Sequence, residues 1–100
     1  MPELTIISWR DIPAQVLATD GAATVRVQLP DRFQLAIDAA AMRAGLVGSD
    51  EYLEEWRRES RPCNGDLERA VAEQAARLEE EFTADVLRTL VGTGGTRSPA

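Results

Sequence analysis

The chain has no histidine and no lysine, one cysteine, and five aromatic residues in 100. Without histidine it lacks the commonest general base, the side chain that titrates near neutral pH, and the commonest metal ligand. A lone thiol, Cys63, neither closes an internal disulfide nor supplies a multi-cysteine metal site. No apolar run approaches the ~20 residues of a membrane span. The opening "MPELTIISWR" begins with an acid and carries no basic n-region of the kind that precedes a secretory signal. These absences predict a cytoplasmic protein with no metal, no cofactor and no membrane association.

Lysine's absence leaves arginine as the source of all eleven cations, against seventeen acids and a net charge of −6. That balance repels a phosphate backbone, and no long basic stripe offsets it, so nucleic acid is not an expected partner. Phosphate-loop, dinucleotide, nucleophile-elbow and zinc spacings are missing as well. The one glycine cluster, "GTGG" at 92–95, follows a helical pattern instead of joining a strand to a helix. Glu79, Glu80 and Glu81 point in three directions on a helix and read as a solvated face. Cys63 has no histidine to activate it and reads as an incidental loop thiol. No catalytic, cofactor-binding or metal-ligating residue is assigned.

What is present is an ordinary globular composition, 44% hydrophobic and 28% charged, in one domain over 1–91. "LTIISW" at 4–9 is rich in β-branched side chains and predicts a strand. "AQVLA" at 14–18 and "ATVRVQL" at 23–29 predict two more. The last sets Val25, Val27 and Leu29 against Thr24, Arg26 and Gln28, the alternation of a sheet with one buried face. Asp20-Gly21 between them predicts a tight hairpin turn, and the short 1–2 connection makes that pair antiparallel too.

After Pro30 the apolar period changes from 2 to 3.6. Phe33, Ala36, Ile37, Ala40, Ala41 and Ala44 fall at helical spacing, with Gly45 as the stop. Leu35, Met42 and Leu46, with Ala39 nearby, form a second apolar face, which predicts a helix covered on both sides. "SDEYLEEWRRES" predicts a short helix of about two turns that lays Tyr52, Leu53 and Trp56 over that second face. "RPCNG" at 61–65 reads as a loop. Asp66 then caps a helical pattern through Val71, Ala75, Leu78 and Phe82 as far as Val91. As one straight helix, 66–91 would span ~39 Å, so it either protrudes or breaks near Thr83. Residues 92–100 have the composition of a disordered tail. The expected class is α+β: a three-stranded antiparallel sheet followed by two or three helices packed on one face.

Tryptophan and arginine concentrate where a plain turn would serve. "SWRDIPAQV" at 8–16 and "WRR" at 56–58 nominate Trp9, Arg10, Asp11, Gln15, Trp56, Arg57 and Arg58 as a surface for a protein partner, because aromatics and arginine dominate interface hot spots. Core packing for the two tryptophans and a helix-end role for the arginines are the plainer alternatives. A rival functional reading gathers Arg10, Asp11, Gln15 and Tyr52 around an anionic metabolite, as in a small ligand-binding protein or enzyme subunit. A homodimer pairing the second face of the 30–45 helix, or the end of the last helix, is a further expectation.

Taken in order, "SWRDIPAQV", "LPDRFQLAIDAAAMRAGL" and "SDEYLEEWRR" resemble the small bacterial family described as virulence factor, and also the C-terminal part of conserved virulence factor C. The resemblance covers about residues 4–82. In longer relatives this region lies beside helical repeats and a domain similar to the N-terminal part of iron–sulfur scaffold proteins. The resemblance therefore implies a non-enzymatic accessory or partner-binding module, with a link to one-carbon or iron–sulfur metabolism as the alternative context. One cysteine argues against cluster binding by this chain. The family supplies no catalytic residue to carry over.

Overall fold

A computed structural model describes residues 2–96. The β-branched N-terminal run forms β1 (Glu3–Trp9), and a two-residue turn, Arg10–Asp11, returns the chain as β2 (Ile12–Asp20). Gly21, at φ +62°, then turns it into β3 (Ala23–Gln28). Beyond Pro30 come α1 (Asp31–Arg43), the five-residue α2 (Asp50–Glu54), β4 (Trp56–Pro62), α3 (Leu67–Glu81) and α4 (Ala84–Gly92). The α+β class and the antiparallel sheet agree with the sequence pattern.

The strand number does not. Among the described residues the sheet has four strands in the order β3-β2-β1-β4, every neighbour antiparallel, and four helices accompany it. "WRRESRP", expected as helix and loop, lies along β1 in continuous register from Trp9 opposite Trp56 to Glu3 opposite Pro62. Its local pattern gives no warning: six of its seven side chains are exposed and none alternates apolar with polar. The free edge of β1 decides the matter, because its unpaired N–H and C=O groups need partners that no local helix supplies. A charged edge strand also discourages pairing with further chains.

Cross-strand register sorts the side chains into two faces, since directly opposed residues share a face. One face carries the rows Arg61–Leu4–Ala18–Val25 and Glu59–Ile6–Val16–Val27. Across it lies α3, burying Ala70, Val71, Gln74, Ala75 and Leu78. Burial of each Val or Leu there stabilises the fold by about 1.5–3 kcal/mol. The Gln74 amide oxygen accepts from Arg61, so the one buried polar side chain of α3 is satisfied. The opposite face carries Ser60–Thr5–Leu17–Arg26 and Arg58–Ile7–Gln15–Gln28. Arg26, Gln28, Arg58 and Ser60 are all exposed on it.

The break in the long C-terminal pattern falls where the sequence puts it. Thr83 is extended and its hydroxyl accepts from the Val86 N–H, capping α4 as a new helix. α4 packs on α1 through Leu87 and Leu90, beside Phe33, Ile37 and Ala40.

Two expectations about the helices need correction. α2 stops at Glu54 because Trp56 already belongs to β4, so Tyr52 borders a groove with Ala41 and Met42 of α1 while Leu53 is left exposed. Leu35 and Met42 consequently face water, and only Leu46 of the second apolar face is buried. Part of the stretch read as a disordered tail is also ordered: Gly94 and Gly95 are buried, and the Gly95 N–H donates to Leu90 O at 2.8 Å. Residues 97–100 lie outside the described residues.

Candidate functional site

The corner between β1 and β2 is built inward. Trp9 is fully buried, its indole N–H donates to the Tyr52 carbonyl at 2.9 Å, and its ring stacks on Tyr52 at 5.6 Å between centroids. Tyr52 in turn meets the ring of Trp56 edge-on at 6.2 Å. Arg10, at the first turn position, has φ +52°, a region that glycine usually takes in such hairpins. Its own contacts hold it there. The Arg10 N–H donates to Glu55 O, Nε donates to Glu55 Oε1 at 2.9 Å, and Nη1 donates to Gly94 O at 2.9 Å. The Asp11 N–H reaches Gly95 O at 2.9 Å, and its carboxylate lies 3.8 Å from Arg57. One turn thus fastens the start of β4 and the end of α4.

The seven nominated surface residues therefore divide. Trp9 is unavailable to a partner in this fold. Arg10 and Asp11 are half-buried and committed to the corner, and Trp56 is half-buried at the edge of the aromatic ladder. Arg57 is exposed and stands opposite Ser8 on the α3 side of the sheet. Gln15 and Arg58 share the open face, in one row with Ile7 between them and Gln28 beyond Gln15.

Ile7 is half-exposed, and Leu17 is buried yet lies outside the core cluster beneath the helices. Arg26 and Arg58 stand on the two outer strands, separated by three strand spacings, about 14 Å, across the sheet and by one row along it. Thr5 and Ser60 hydrogen-bond to each other at 2.7 Å between β1 and β4. Glu3 occupies the row nearest the β2–β3 turn, so the face carries two cations and one acid on a chain of net charge −6. Arg26 and Gln28 were legible as the polar side of an alternating strand. Their partnership with Arg58 was not, because it depends on β4.

The rival quartet is not assembled. Arg10 and Asp11 line a cavity of about 310 Å³ with Ser8, Glu59, Glu81 and Phe82, whereas Tyr52 lines a separate groove and Gln15 lines neither. Three acids and one cation around the first cavity oppose an anionic ligand there. Among the described residues no group of three or more His, Cys, Asp or Glu side chains could hold a metal ion. No described helix is long and apolar enough to cross a membrane.

Burial pushes the Tyr52 hydroxyl above its ordinary value of 10, and the carboxylate of Asp38 adds to the rise. The folded state thus holds the phenol proton more tightly than the unfolded chain does. This contribution is complete below pH 10 and is lost as pH rises through the folded pKa. Tyr52 is the sole tyrosine, so absorbance near the phenolate band reports it alone. Asp38→Asn is expected to lower its midpoint while leaving it above 10, because burial, the larger cause, remains. An unchanged midpoint would show that Asp38 exerts no field on the phenol.

The family model described as "Virulence factor" matches residues 7–91. No curated protein and no solved structure matches the chain.

Proposed function

From the premise that the chain belongs to the virulence factor family, we propose that it is a non-enzymatic docking module whose open sheet face binds an acidic surface of a protein partner. One observation carries the reading. Four strands place Arg26, Gln28, Gln15, Ile7 and Arg58 on the face opposite α3, with exposed guanidinium groups on both outer strands and the half-exposed Ile7 and Gln15 on the inner ones. Arginine offers forked donors that match carboxylates, and a rigid sheet holds those donors at fixed spacing. Ile7 gives the face one partly exposed apolar side chain amid polar ones, the mixed character of an ordinary protein interface.

We place it in a cytoplasmic setting on its single cysteine, Cys63, which closes no internal disulfide. The test is charge reversal. Arg26→Glu and Arg58→Glu are each expected to reduce recovery of the native partner about tenfold, the loss of a well-placed charge-assisted contact, while Arg77→Glu on the solvent side of α3 leaves it unchanged. Full recovery by both sheet variants, with unaltered circular dichroism, would rule the reading out.

A further inference from the structure

α1 carries a second contact stripe on a different side of the molecule. Leu35 and Met42, seven residues apart and so on one helix face, are 66% and 70% exposed, and Val47 in the connection that follows is 63% exposed. Met42 and Val47 wall a groove of about 260 Å³ with Ala41 and Tyr52. Asp38 lies between Leu35 and Met42 at helical spacing and lines the same groove, its carboxylate accepting from Gln34 Nε2 at 3.0 Å. Large apolar side chains gathered beside one carboxylate have no role in this chain's own core. Such patches mark contact sites.

Charge identifies the occupant. A partner that covers the groove takes Asp38 out of water, and an unpaired carboxylate resists that strongly unless a cation meets it. The first turn of α2 adds exposed Asp50 and Glu51. A second copy of this chain, paired along α1 about a twofold axis, would bring like carboxylates together. We propose that the α1 groove docks an amphipathic helix of another protein, which lays large aliphatic side chains on Leu35, Met42 and Val47 and sets an arginine or lysine against Asp38. This surface is separate from the sheet face, so the chain has two docking sites of opposite electrostatic preference.

The test uses the full chain and a designed amphipathic peptide of about four turns, with leucines at i, i+4 and i+7 and one central arginine. A matched peptide carries glutamate in place of that arginine. Amide shifts are expected to concentrate between Leu35 and Val47, and the arginine peptide is expected to bind about tenfold more tightly than its match. Asp38→Asn should remove that preference, and Met42→Ser, at an exposed site, should remove binding while leaving the fold intact. Arg58→Glu should change none of this, which separates the result from the sheet-face reading. Three outcomes overturn the proposal: no shifts in this segment, equal affinity for the two peptides, or a dimer in sedimentation that Met42→Ser dissociates, which would make a second copy the occupant.

Discussion

Gly95→Ala is expected to lower the stability of the fold by about 2–4 kcal/mol in urea or thermal unfolding. Two independent effects add. Gly95 sits at φ +95°, where an L side chain is strained, and a Cβ there would lie 2.8 Å from the Cζ3 atom of Trp9 and 3.2 Å from Cε3. The obstacle is a fully buried ring pinned by its own hydrogen bond, not the end of a flexible chain, so it cannot move aside cheaply. Gly65→Ala is the matched control, because a Cβ at that position meets nothing within 4 Å. If the two variants unfolded alike, residues 92–96 would not be seated on Trp9 in solution.

Trp9→Ala should be the more damaging change, by about 3–5 kcal/mol, the usual range for removing a large aromatic from a packed interior. A domain of this size has a total stability of only about 5–15 kcal/mol, so the variant stands near the edge of folding. The loss is not confined to burial. Trp9 stacks on Tyr52 and donates to its carbonyl, so its removal loosens α2 and the entry to β4. Trp9→Phe keeps most of the buried surface but gives up the indole N–H and the ring atoms nearest Gly95. Its cost should be intermediate, and the penalty of Gly95→Ala should shrink in its background, a coupling expected only of residues in contact. Additive losses would separate the two residues.

The strands and helices that could be read from the sequence are those whose own side chains carry a period. Val25, Val27 and Leu29 mark β3 by alternation, and Phe33, Ala36, Ile37, Ala40 and Ala41 mark α1. Thr83 was legible as a break because a threonine cap there resolves a helix otherwise too long for the domain. β4 carries no such period. Six of its seven residues are exposed and four are charged, and its pairing comes from a β1 edge more than forty residues away in sequence. The length of α2 and the exposure of Leu35 and Met42 both follow from β4, so the local pattern does not show them either.

The "SWRDIPAQV" stretch turns Trp9 into the core and ties Arg10 to neighbouring backbone and Glu55. Tryptophan and arginine side chains there make specific contacts, but with Tyr52, Glu55, Gly94 and Gly95 of the same chain. Hot-spot chemistry and corner-locking chemistry use the same residue types. Composition alone does not tell a side chain's inward direction from its outward one. Gln15, three residues past the corner's Ile12, is the member of the stretch that reaches the open face.

Site-directed photo-crosslinking from that face tests the central functional claim most directly. A photoreactive side chain at Gln28, exposed beside Gln15 in the Arg58 row, is compared in living cells with one at Glu80, exposed on α3. A partner adduct is expected from Gln28 and not from Glu80, and Arg58→Glu should abolish it in the same chain. An adduct from Glu80 alone, or a Gln28 adduct indifferent to Arg58→Glu, would contradict recognition through the sheet.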